Sequence, residues 1–193
     1  MTGTDLARAT RELKPLEQGD LDGLCGLYAI INALRIAVYP NRIISSRMCG
    51  QLLDCGLAFL GRKRKLREAI VYGMDNGLWL AMCEAVVAEA EALLRVRLIL
   101  QPLMRDDRAW HVPEVIRNIR RNLRQNRAVI ICFEGKLEHY SVIAGHTANR
   151  LNLFDSAGCR WIHSTSLRVS AKIRKPHLVS REGASVLIYA SLG

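Results

Sequence analysis

The residues with the clearest chemical potential stand in the stretch QGDLDGLCGLYAIINAL, Gln18 to Leu34, where a polar, glycine-broken loop turns into an apolar segment at Cys25. The pattern predicts a helix that opens at this cysteine. The first N–H groups of a helix have no partner within it, and the helix dipole is positive there, so the position favours an anionic sulfur. Asp20 and Asp22 are placed to accept hydrogen bonds near the helix start, and Gly23 and Gly26 let the chain turn tightly.

A thiol nucleophile needs a base, and usually a third group that orients the base. Of His111, His139, His146, His163 and His177, the second stands out. His139 follows the turn-like Glu134-Gly135-Lys136 and opens the strand-like run to Ala144. Asp155 ends the next such run. A three-residue turn over Thr147 to Asn149 would pair His146 with Arg150 and set Asp155 opposite Ser141. His139 is then its diagonal neighbour on the same sheet face, roughly 7–8 Å away at the backbone. A one-residue slip would separate the two onto opposite faces. In the paired register Asp155 holds one imidazole nitrogen and leaves the other for Cys25. His146, at the turn end of the same strand, is the rival base. The Cys25 amide and the side-chain amide of Gln18 are the two candidate donors to a developing oxyanion. Taken singly, a buried thiol, a strand histidine and an Asp in the turn sequence Asp-Ser-Ala-Gly are ordinary structural residues. Their order and register together carry the catalytic reading.

The elements that must position these groups follow from patterning. Residues 1–14 form a polar lead-in with some helical character, and Lys14 to Gln18 are extended around Pro15. The helix from Cys25 is apolar on nearly all sides, hence central, and ends at Tyr39-Pro40-Asn41. Further helices are expected over Ser46 to Leu60 (closed by Gly61), Leu66 to Tyr72, Leu78 to Arg95 and Val112 to Arg127. Met74 to Gly77 is expected as a turn. Strands are expected over Val96 to Leu100, Ala128 to Phe133, Glu138 to His146, Arg150 to Asp155, Cys159 to His163 and Ala184 to Ala190, with 166–183 irregular. The layout is α+β in one domain over 1–193, with a mainly helical half (15–127) before a mainly β half (128–193).

Composition narrows the classes. Half of the residues are hydrophobic and 24 % are charged, as in an ordinary globular chain. No segment has the roughly 18 uninterrupted apolar residues of a membrane helix; Leu78 to Leu94 is cut by Glu84, Glu89 and Glu91. No secretory signal is visible, so an intracellular, cytoplasmic protein is expected. Six cysteines (25, 49, 55, 83, 132 and 159) are spread singly, which fits neither a disulfide framework nor a zinc site. No cofactor is implied. The net charge of +10 concentrates in Gly61 to Arg67 and Arg117 to Arg127. These runs are solvated helix surface or a site for an anionic partner, nucleic acid included. Aromatic residues do not interleave with them.

The order Gln18, Cys25, His139, Asp155 resembles papain-like cysteine proteases, including bacterial papain-fold peptidases. The match is specific at Q-x6-CG and at HYSVIAGH…LNLFDS. The plant-type C-G-S-C-W signature is absent, Gly26 follows the cysteine, and Leu24 precedes it, so no branch is assigned. The resemblance implies that Cys25 is the nucleophile, His139 the general base and acid, Asp155 the orienter and Gln18 the oxyanion donor. It also implies a central helix opening at the cysteine and packed on a C-terminal antiparallel sheet. Trp161 is a candidate lid over the Cys–His pair. The implied activity is hydrolysis of a peptide or isopeptide bond in a protein or peptide substrate. The same thioester chemistry would serve an acyltransferase or transglutaminase-like enzyme. A third reading is a basic nucleic-acid- or protein-binding module with an idle thiol.

Overall fold

The computed structural model describes residues 4–20, 22–106 and 108–190. The first three residues of the lead-in, Leu21 of the loop before Cys25, position 107 and the last three residues lie outside the described residues. Six helices are described: α1 (Thr4–Glu12), α2 (Cys25–Val38), α3 (Ser46–Arg62), α4 (Leu66–Tyr72), α5 (Asn76–Leu94) and α6 (Val112–Arg124). The strands are β1 (Arg97–Pro102), β2 (Ala128–Gly135), β3 (His139–His146), β4 (Arg150–Phe154), β5 (Trp161–His163), β6 (Leu167–Arg168) and β7 (His177–Ala190). The fold is α+β. The strands form one sheet in the order β1-β7-β2-β3-β4-β5, antiparallel throughout, with the short β6 pairing parallel to the start of β7.

The central position of α2 follows from its composition. Leu27, Ile30, Ile31 and Leu34 are fully buried, each side chain contributing about 1.5–3 kcal/mol on burial. The helix packs on β2, β3 and β7, and on α3 and α5. Gly56 of α3 permits that approach, because a Cβ there would meet Leu27 Cδ1 at 2.5 Å. The helix stops where Tyr39 turns extended before Pro40. At the other sequence end of the helical half, α6 packs on β2 and β3 through Val115, Ile119 and Leu123. Arg117, Arg121 and Arg124 face outward, whereas half-buried Arg120 donates to the carbonyls of Thr147 and Ala148 in the β3–β4 turn. No helix among the described residues is long and apolar enough to cross a membrane.

Several expected boundaries shift, each for a local reason. The lead-in is a helix whose Leu6 and Ala9 are buried. Gly61 lies inside α3, which runs on to Arg62. The Met74 to Gly77 turn is shorter than expected, because Asp75 caps α5 by accepting from the Leu78 N–H at 2.8 Å. Helix α6 ends at Arg124, and Asn126 takes a left-handed φ of 56° before β2. The stretch 166–183 is not wholly irregular: it contains β6, and β7 begins at His177 rather than Ala184. A bulge hides the longer strand. Ile131 pairs with Ala184 but Phe133 pairs with Val179, so Ser180 to Gly183 form an excursion opposite Cys132.

Candidate active site

Four stretches converge at the start of α2. The first is the extended segment Leu13 to Gln18. Buried Asn32, at the middle of α2, clamps it: Leu16 N–H donates to Asn32 Oδ1 at 2.8 Å, and Asn32 Nδ2 donates to Leu16 O at 3.1 Å. The second is the loop into the helix. Asp22 folds it by accepting from the Gly19 and Leu24 amides, both at 3.0 Å, while Gly23 N–H donates to Ile70 O of α4 at 2.7 Å. Only glycine fits at position 23, where a Cβ would lie 2.7 Å from Gly73 N and 2.8 Å from Ala69 O. Asp22 thus does part of the work expected of it or Asp20, serving Leu24 rather than the helical amides. Leu24 at the N-cap offers no side-chain acceptor, so the Cys25 and Gly26 amides have no side-chain cap, while the Leu27 and Tyr28 amides donate to Leu24 O.

Cys25 is half-buried at this point. Behind it, Gly26 makes room for Trp79: a Cβ on Gly26 would come within 2.5 Å of Trp79 Cδ1. Trp79 Nε1 donates to Gly26 O at 3.1 Å, and its ring stacks on Tyr140 with centroids 4.4 Å apart. The residue after the cysteine is a glycine because an aromatic from α5 fills the space a side chain would need.

The third and fourth stretches are the first residue of β3 and the turn after β4. His139 Nε2 donates to Asp155 Oδ2 at 2.7 Å, which leaves Nδ1 free of the carboxylate, and the Cys25 thiol is close enough to favour the charged ring. His139 and Asp155 are only 7 % and 3 % exposed, so water screens the pair weakly. The second carboxylate oxygen accepts from the Ala157 and Cys159 amides at 2.9 and 3.0 Å, and Ser141 lies against the same group. Asp155 is therefore a turn residue and an orienter at once. Burial works against the charged imidazole, but Asp155 and Cys25 outweigh it through hydrogen bonds and charge and hold the His139 pKa up at about 9. Burial likewise opposes the Asp155 carboxylate, and the bonds from His139 and the Cys159 amide, with the charge on His139, overcome it, leaving its pKa lowered. Both directions favour the charged forms.

Gln18 lies at the edge of this group. Its backbone N–H donates to Ser156 O at 3.1 Å, and the Ser156 hydroxyl donates to Gln18 Oε1 at 3.0 Å. With the carbonyl oxygen held, the Gln18 amide nitrogen is turned the other way. One of its hydrogens goes to Asp22 O at 3.3 Å and the second is left over.

The structure thus brings together Gln18, Cys25, His139 and Asp155. The rival base is elsewhere: His146 is exposed beside the β3–β4 turn, its Nδ1 3.3 Å from Thr147 O. Trp161 is not a lid. It sits under Arg150, whose guanidinium carbon is 4.0 Å from the ring centroid, and makes an edge contact with His163 at 4.9 Å. Sequence reasoning missed Ser156, although its place directly after Asp155 is a usable signal. It also missed the polar network of Asn76, Glu134, Tyr140 and Ser180. Asn76 Nδ2 donates to Ser180 Oγ at 2.8 Å and Glu134 Oε1 at 3.4 Å, and Asn76 accepts from the Tyr140 hydroxyl. No sequence spacing links these four residues.

A hollow of about 560 Å³ extends from Cys25 between the α4–α5 connection and the β2–β3 turn. Comparison with known proteins yields no match: no family model fits the sequence, and no curated protein or solved structure is significantly similar.

Proposed function

We propose that this chain is a cysteine peptidase with a papain-like site, in which Cys25 attacks a peptide or isopeptide carbonyl. The observation that carries the reading is the His139 ring, bonded at Nε2 to a buried carboxylate and set close enough to a thiol on a helix start for that thiol to favour its charged form. A buried imidazole held by a carboxylate beside a cysteine is the arrangement nucleophilic catalysis requires.

Each step uses groups already in place. The Cys25 thiolate adds to the carbonyl carbon. The resulting oxyanion is held by the open Cys25 amide and the remaining N–H of Gln18. Protonated His139 gives its Nδ1 proton to the leaving amine as the C–N bond breaks, leaving a thioester on Cys25. His139 then takes a proton from water, whose oxygen adds to the thioester carbonyl. Collapse expels the Cys25 sulfur and releases the carboxylic acid. Asp155 keeps the ring in one orientation throughout and stabilises its charged form. The central helix bearing the nucleophile against an antiparallel sheet bearing the base supports the papain-like assignment.

The test is turnover of a denatured protein and a peptide mixture, followed by mass spectrometry. Wild-type protein should give new termini formed by addition of water. Cys25→Ala should give none, and His139→Ala should be slower by about 10²–10⁴-fold. Cleavage that survives Cys25→Ala would rule the reading out. Products that carry an added amine in place of water would move it to acyl transfer.

A further inference from the structure

We propose that the hollow opening on Cys25 receives an arginine or lysine side chain on the acyl side of the bond attacked; the proposal rests on Cys25 being the nucleophile. The carboxylates of the hollow alone would say nothing. They matter because this hollow is lined by Cys25 itself, and because its walls suit a long side chain with a cationic end.

Its size, about 560 Å³, is that of a ligand site. Apolar surface comes from Tyr72, Met74 and Leu178, with Tyr72 81 % exposed at the rim. The polar end carries Asp75, Glu134 and Glu138. No lysine, arginine or histidine lines it, although the chain has 28 Lys+Arg against 18 Asp+Glu. None of the three carboxylates is in a salt bridge among the described residues. A negative pocket on a positive molecule focuses potential toward a cation. An apolar stem along Tyr72 and Met74 with a charged head among carboxylates is how Lys and Arg side chains are accommodated, and Tyr72 adds a ring face for the cation.

The side of the bond follows from His139. The leaving amine must lie against the ring that protonates it, near Asp155 and Ser156. Neither these residues nor Gln18 line the hollow. The acyl half of the substrate is the half that can enter it. Glu138 also occupies a φ of 45°, a conformation in which glycine or asparagine is the ordinary choice. The carboxylate is present there despite that strain.

The test uses dipeptidyl chloromethyl ketones that differ only in carrying arginine, lysine, norleucine or glutamate at either of the two residues before the ketone. The rate of Cys25 alkylation is followed by mass spectrometry, and each rate is divided by that protein's own rate with iodoacetamide. At one of the two positions the basic probes should react about tenfold or more faster than norleucine, with glutamate slowest. The advantage should shrink in Glu138→Gln, on the exposed turn, and approach unity in the double variant Glu134→Gln with Glu138→Gln. Equal rates for arginine and norleucine, or an advantage that survives the double variant, would overturn the proposal while leaving the nucleophile in place. Cys25 inert to iodoacetamide and to every ketone would instead remove the nucleophile reading, and the proposal with it.

Discussion

His139 and Asp155 meet at 2.7 Å across two strands whose pairing is irregular at the far end. Near the turn, His146 pairs with Leu151 and Gly145 with Asn152; at the site end, Val142 pairs with Phe154 and Ile143 with Leu153. One extra residue on β3, at Ala144, absorbs the difference. Without that bulge the strands would be one residue out of step, and His139 and Asp155 would lie on opposite faces. The contact therefore depends, through backbone register, on a bulge five residues from His139, and then on the Asp155 turn that fixes Oδ1.

The first prediction concerns the basic limb of activity. Catalysis needs His139 protonated to serve the leaving group, so kcat/KM should fall as pH rises through about 9, the value at which the ring is held. Asp155→Asn keeps an acceptor for Nε2 but removes the charge, so its basic limb should move toward the ordinary imidazole range. Asp155→Ala also loses the orienting bond and should be the slower of the two. A pH profile of all three proteins measures this. An unmoved limb in Asp155→Asn would separate Asp155 from the ionisation of the site.

Stability carries the same signs. The folded pKa of His139 lies above its unfolded value of 6.5, so its stabilising contribution is complete below about pH 6.5 and is lost as pH rises through about 9. Asp155 is shifted the other way. Its contribution is complete above the ordinary carboxylate value of 3.8 and is lost as pH falls through its lowered folded value. Denaturant melts at pH 6, 8 and 10 should show stability declining over the upper interval, and His139→Ala should flatten that decline.

Ser156 positions Gln18 without touching the reacting atoms. Removing its hydroxyl frees Gln18 Oε1 and lets the amide rotate. Gln18→Ala should lower kcat by about 10²–10³-fold, the typical loss for one oxyanion donor. Ser156→Ala should produce a smaller loss, also in kcat with KM little changed. A Ser156→Ala loss confined to KM would contradict the positioning role.

Gly26→Ala tests the seat of the nucleophile. The added methyl meets Trp79 at 2.5 Å in a buried, stacked environment. Overpacking of this kind costs about 1–3 kcal/mol. We expect a lower melting temperature by circular dichroism together with slower alkylation of Cys25, because relief of the clash moves the helix start.

The catalytic candidates were legible because each sits at a boundary that patterning marks. Cys25 stands where a glycine-rich loop becomes an unbroken apolar helix, and His139 and Asp155 bound two short alternating runs. The common face of His139 and Asp155 followed from strand parity, yet the turn pairing behind it did not: the expected His146–Arg150 pair is replaced by His146–Leu151, and the bulge restores the register. What stayed hidden has a common physical cause. The excursion Ser180 to Gly183 breaks the alternation of β7, and Gly183 is there because a Cβ would strike Cys132 and Asn76, both at 2.5 Å. That contact, like the Ser156–Gln18 bond, joins residues more than fifty positions apart, which no local pattern records. The arginine-rich run of α6 shows its outward face in the sequence, but not the anchoring of Arg120 to the Thr147–Ala148 turn.

The central claim is that His139 makes Cys25 a nucleophile unlike the other five thiols. Burial pushes the pKa up at Cys49, Cys55, Cys83, Cys132 and Cys159. Cys55 and Cys159 are half-buried, as Cys25 is, and so serve as internal controls. The most direct measurement is site-resolved alkylation of the native protein by iodoacetamide at neutral pH, comparing wild type with His139→Ala. The account predicts that Cys25 reacts about tenfold or more faster than Cys55 and Cys159 in the wild type, and that His139→Ala removes this advantage. Reaction of Cys25 at the rate of the two controls, or an advantage untouched by loss of His139, would contradict it.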